Sequence, residues 1–118
     1  MSRALNQPMS TLSTHVLDTA HGKPAAGMAL ILSEAGGAVL FSGHTNEDGR
    51  CPGLPAPEPG CYRLSFAVAD YFRNAGVSLP DLPFLDVVVI DFGVAAGGGH
   101  YHVPLLVAPY GYSTYRGS

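Results

Sequence analysis

Five histidines stand among the 118 residues, and two of them, His100 and His102, are one residue apart. Imidazole changes protonation near neutral pH, so such a pair points first to general acid–base chemistry. On a strand, alternate residues share a face. Tyr101, Val103, Leu105 and Val107 then form an apolar stripe, and His100, His102, Pro104 and Leu106 face the other way. Residues 11–18 (TLSTHVLD) alternate more loosely, with Leu12, Thr14 and Val16 on one side and Ser13, His15 and Leu17 opposite. His15 and His102 therefore both project from a non-core side that also carries Leu17, Pro104 and Leu106. Such a mixed face suits a cleft closed by another subunit. The plainer alternative is that each histidine is partly exposed or packed, with no chemical task.

Arg50 follows the turn sequence NEDG. It reads either as a solvated loop charge or as a pair of donors for a planar, oxygen-rich ligand. The His-x-His spacing also admits zinc, but residues i and i+2 on a strand lie about 6–7 Å apart, and no acidic residue or Cys adjoins them. There is no G-x-S-x-G elbow, phosphate-binding loop or dinucleotide fingerprint. Neither Cys51 nor Cys61 has an evident base beside it in the sequence, and the same holds for Ser113 and Ser118.

The elements that must position these groups are short. Fifteen glycines and ten prolines are scattered along the chain, which fits strands joined by turns. Strands are expected at residues 11–18, 28–33, 38–45, 61–68, 84–92 and 100–108, followed by GYSTYRGS at 111–118. Turns are expected at 21–27 (HGKPAAG) and 46–49 (NEDG), where Asn, Asp and Gly tolerate left-handed backbone. Residues 69–75, stopped by Gly76, are the one helix expected. About seven short strands imply a β-sandwich. Residues 1–10 have no apolar core typical of a secretory signal and are expected as a flexible extension before a single domain at 11–118.

Composition narrows the partners. Apolar residues make up 47% of the chain and charged ones only 13%, more than a small domain can hide, so part of that surface is expected in a homo-oligomer interface. A net charge of −3 gives no footprint for nucleic acid, and no apolar run reaches the roughly 18 residues of a membrane span. Two cysteines without an export signal read as free thiols in the cytoplasm.

Several segments resemble the 5-hydroxyisourate hydrolases, the purine-degrading branch of the transthyretin-like family. They are THVLDTAHGKPAAG at 14–27, TNEDGR at 45–50 and HYHVPLLVAPYGYSTYRGS at 100–118, above all its closing YRGS. The similarity runs from Leu12 onward. It implies an all-β, two-sheet prealbumin-like sandwich with one short helix, assembled as a homotetramer (a dimer of dimers) with active sites in the channel between dimers. It places catalytic roles on His15, Arg50, His102 and Ser118, and substrate binding on Tyr115, Arg116 and Gly117. The implied reaction needs neither metal nor cofactor: hydrolysis of 5-hydroxyisourate, the product of urate oxidation, to 2-oxo-4-hydroxy-4-carboxy-5-ureidoimidazoline. Either His15 or His102 would take the water proton. The alternatives are a non-enzymatic carrier of a small aromatic ligand in the same channel, a His-rich metal protein, and a purely structural sandwich. A carrier would have no need of titratable groups at the histidine and Arg50 positions.

Overall fold

A computed structural model of the protein describes residues 10–118. Its elements are β1 (Ser10–Asp18), β2 (Lys23–Pro24), β3 (Ala29–Glu34), β4 (Val39–His44), β5 (Gly60–Ala67), α1 (Val68–Asn74), β6 (Val87–Val94), β7 (Gly99–Ala108) and β8 (Gly111–Thr114). They form two four-stranded sheets, ordered β2-β1-β7-β8 and β4-β3-β5-β6. Every neighbouring pair is antiparallel except β1 and β7, which run parallel. That pairing joins the two ends of the chain and brings the histidine-bearing strands side by side.

The apolar stripes meet between the sheets. Leu12 and Val16 of β1 and Tyr101, Val103, Leu105 and Val107 of β7 are buried against Leu30 and Leu32 of β3, Leu64 and Phe66 of β5, and Val88 and Ile90 of β6. Thr14 joins this face with its hydroxyl donating to the Val103 carbonyl at 2.7 Å, so burial leaves it satisfied. The buried Asp18 accepts from the His21 backbone N–H at 3.0 Å and the Tyr71 hydroxyl at 2.8 Å, and lies 2.6 Å from His21 Nδ1. Burial alone would raise its pKa, but the hydrogen bonds from His21 and Tyr71 outweigh that and lower it. The same carboxylate ties the end of β1 to α1.

Several boundaries differ from the sequence reading. The 21–27 turn contains the two-residue β2, formed because Leu17 and Asp18 pair with Pro24 and Lys23. The helix starts and ends one residue early: Val68 and Ala69 donate backbone N–H groups to the Asp86 carbonyl instead of to a side-chain cap. Gly76, at φ +88°, follows its end. The sixth strand runs Val87–Val94 instead of 84–92, because its pairing with β5 begins at Ala67↔Val87, while Phe84 packs against Tyr110. Residues 1–9 of the expected extension lie outside the described residues, whereas Ser10 already belongs to β1 and is buried. No helix among the described residues is long and apolar enough to cross a membrane.

Candidate active site

The parallel register sets Thr11 beside His100, Ser13 beside His102 and His15 beside Pro104. All six lie on the outer face of the sheet, since their neighbours Leu12, Thr14, Tyr101 and Val103 point inward. His15 and His102 are half-buried and His100 is exposed. The His100 and His102 rings are nearly parallel, at 12°, with centroids 6.3 Å apart. Ser13 Oγ sits between them, 2.7 Å from His102 Nδ1 and 3.0 Å from His100 Nε2, and Thr11 Oγ1 lies 2.6 Å from His100 Nδ1. The facing nitrogens are thus engaged by a hydroxyl and do not converge on a point where an ion could sit. Among the described residues no group of three His, Cys, Asp or Glu is placed to hold a metal.

Arg50 reaches this face through its turn. Asn46 Oδ1 accepts the backbone N–H groups of Asp48 and Arg50 at 2.9 and 3.0 Å, and the Asn46 N–H donates to the Arg50 carbonyl at 2.7 Å. The turn docks on the side of β1 away from β7, next to β2: the Val16 N–H donates to the Gly49 carbonyl at 2.8 Å, and His15 and Arg50 form a backbone bridge. Gly49 has φ +77°, and a Cβ there would overlap the Val16 carbonyl oxygen, so only glycine lets the turn approach this closely.

The C-terminal segment closes the opposite side. The Gly117 N–H donates to the His102 carbonyl at 2.8 Å, and a Cβ on Gly117 would strike the His102 ring. Ser118 follows, exposed. Arg116 is engaged elsewhere. Its guanidinium lies 4.1 Å over the Tyr101 ring and donates to the His100 carbonyl at 3.2 Å. With Tyr115 it lines an opening of about 430 Å³ between the sheets. The fold therefore gathers His15, Arg50, His102 and Gly117 around one patch and sets Ser118 at its rim. The side chains of Tyr115 and Arg116 turn towards the sandwich end.

Partial burial holds the His102 pKa below the ordinary histidine value, and the positive charges available to Arg50, His100 and His15 push it the same way. His102 is therefore neutral at pH 7, with a lone pair free to take a proton, and Arg50 is near enough to act on it electrostatically. Ser13 and Thr11 are the members that motif reasoning passes over. The alternation of β1 already set Ser13 on the outer face, but nothing in sequence placed it between two imidazoles. A depression of about 260 Å³ is lined by Leu12, Ser13, Arg50, Pro52 and Leu54.

These positions can be compared with known proteins. The model of the HIUase/Transthyretin family matches residues 12–117. The 5-hydroxyisourate hydrolase of Ralstonia nicotianae is 55% identical over 117 residues, covering 93% of this chain and 100% of its own. Among solved structures, (S)-allantoin synthase superposes with a TM-score of 0.87 at 37% identity over 95% of this chain, which spans only 45% of that longer one. The 5-hydroxyisourate hydrolase of Klebsiella pneumoniae gives 0.80 at 39% identity, covering 93% and 100% of the two chains. Sea bream transthyretin in complex with thyroxine gives 0.76 at 28%, covering 88% and 92%. A match that spans both sheets and reaches from β1 to the segment packed on His102 leaves one placement: the chain belongs to the HIUase/Transthyretin family.

Proposed function

We propose that this protein hydrolyses 5-hydroxyisourate to 2-oxo-4-hydroxy-4-carboxy-5-ureidoimidazoline. The observation that carries the reading is the convergence of His15, His102 and Arg50 on one sheet face, in a chain 55% identical to a protein named for that reaction. A carrier would leave this titratable cluster without a task.

Opening the ring amide forms a bond from a water oxygen to the carbonyl carbon and breaks the carbon–nitrogen bond. The water proton needs an acceptor, the carbonyl oxygen a positive partner, and the leaving nitrogen a proton. His102 is the base, because it is held neutral and its Nδ1 is already engaged by Ser13, which leaves Nε2 for water. Arg50 offers paired donors to the oxygen that gains charge. His15, on the neighbouring strand, supplies the proton to the leaving nitrogen. Ser118 orients water or substrate, Gly117 leaves room for the His102 ring, and Arg116 and Tyr115 anchor the terminal segment. The chemistry asks for no metal or cofactor.

The imidazole face lies open on the outside of the sheet, with His100 and Ser118 exposed, which supports a site completed by another protomer in a homotetramer, a dimer of dimers. The free thiols of the buried Cys51 and the exposed Cys61 fit a reducing cytoplasm. The test generates 5-hydroxyisourate with uricase and follows its decay. His102→Ala should lose about 10²–10⁴-fold of the added rate with the oligomer intact; an undiminished rate would overturn the reading.

A further inference from the structure

Resting on the hydrolase reading, we propose that Ser13 and His100 are positioning residues: with Thr11 they form a hydrogen-bonded relay that fixes the tautomer of His102 and takes over its charge during the reaction. The geometry is a continuous line of polar atoms. It runs from Thr11 Oγ1 to His100 Nδ1 (2.6 Å), from His100 Nε2 to Ser13 Oγ (3.0 Å), and from Ser13 Oγ to His102 Nδ1 (2.7 Å). Its outer end is exposed and its inner end half-buried. At His102 Nε2 no described residue makes a hydrogen bond, so the line ends at the atom that faces the reaction.

A hydroxyl has one proton, so Ser13 donates to one ring and accepts from the other. A neutral imidazole likewise donates from one nitrogen and accepts at the other. The line therefore has one of two polarities, and all its members must agree. For His102 to act as a base at Nε2, its proton must sit on Nδ1 and point at Ser13 Oγ. The Ser13 hydroxyl then donates to His100 Nε2, and His100 Nδ1–H donates to Thr11 Oγ1. In water a neutral imidazole prefers its proton on Nε2. The Ser13 contact reverses that preference for His102 only because His100 accepts the hydroxyl proton in turn.

The protons balance through the reaction. As His102 Nε2 takes the proton from water, the Nδ1 proton moves to Ser13 Oγ and the Ser13 hydroxyl proton moves to His100 Nε2. His102 is then neutral with a proton on Nε2, and His100, holding protons on both nitrogens, carries the charge. That charge is solvated on the exposed ring instead of lying half-buried near Arg50. When the leaving nitrogen has been protonated and product departs, the protons step back from His100 Nε2 through Ser13 Oγ to His102 Nδ1, and His102 gives its Nε2 proton to solvent, which restores the first polarity.

Nitrogen NMR of the substrate-free protein, above the titration range of His102, should find its proton on Nδ1, and Ser13→Ala should move it to Nε2. In the uricase-coupled assay Ser13→Ala should lower kcat about tenfold or more with KM nearly unchanged, and Ser13→Thr, which keeps the hydroxyl, should restore it. His100→Ala should show a similar loss, relieved by added imidazole, which the exposed face admits. A wild-type Nε2 proton on His102, or a wild-type kcat for Ser13→Ala, would overturn the relay while leaving the hydrolase reading standing. A wild-type protein inactive towards 5-hydroxyisourate would instead overturn that reading.

Discussion

Arg50 acts on His102 in two ways at the scale of single residues. In the proposed reaction it offers donors to substrate, and its charge opposes a positive charge on the imidazole. The proposed base works only when neutral, so activity should fall as pH drops through a value below the ordinary histidine value of about 6.5, because burial and the nearby charges lower the His102 pKa. Removing the Arg50 charge relaxes one of these causes. Arg50→Gln should move the acid limb of kcat to higher pH and, by losing the oxygen partner, lower the plateau about 10²–10³-fold. A limb that stays in place would separate Arg50 from His102. Stability follows the same sign. Between the ordinary value and the lowered one, the unfolded chain binds the proton more readily, so stability declines as pH falls through that window. The histidines were legible in sequence because strand alternation alone fixes their face. The partner of His102 was not, because whether Ser13 meets it depends on a register between strands at opposite ends of the chain.

Elements decide how firmly these groups are held. β1 and β7 have buried inner stripes, and a slip of one residue would turn His15 and His102 into the core. Two glycines then bring the turn and the terminal segment against the strands. Gly117 is where the closing tetrapeptide gains a physical meaning: its missing side chain is the space the His102 ring occupies. Gly117→Ala should push the ring or the terminal segment aside and lower kcat by about 10²-fold, as a displacement near 1 Å can, with thermal unfolding little changed since the segment lies outside the core. Equal kcat for wild type and variant would show that the ring does not depend on this contact. The strand and helix runs were readable from periodicity, and their boundaries shifted by one to three residues. The parallel pairing of β1 with β7 was not readable, nor was β2, whose Lys23 and Pro24 are exposed and become strand only because β1 offers an edge. The docking of Arg50 beside His15 likewise rests on Gly49 meeting β1, a tertiary contact without a periodic signal.

Surface apolar groups pose the question of assembly for the whole molecule. Val87 and Val89 of β6 are 52% and 42% exposed, and Tyr110, Tyr112 and Tyr115 in and around β8 are 64%, 47% and 60% exposed. β6 and β8 are also edge strands of their sheets, and unpaired edges invite strands from a second copy. The imidazole face carries its own apolar pair, since Leu17 and Leu106 are register partners two residues beyond His15 and Pro104. Edge pairing would build a dimer, and packing of the imidazole faces would join two dimers and enclose the substrate. Ultracentrifugation should therefore give a mass of four protomers. Leu106→Lys should separate the dimers, because the new ammonium would have to be buried without a partner. Its specific activity should fall on dilution, while the wild-type value stays constant over the same range. The His102 tautomer, set within one protomer by Ser13, should not change. A Leu106→Lys protein that remained a tetramer with undiminished activity would place the interface on another surface and leave the imidazole face open to solvent.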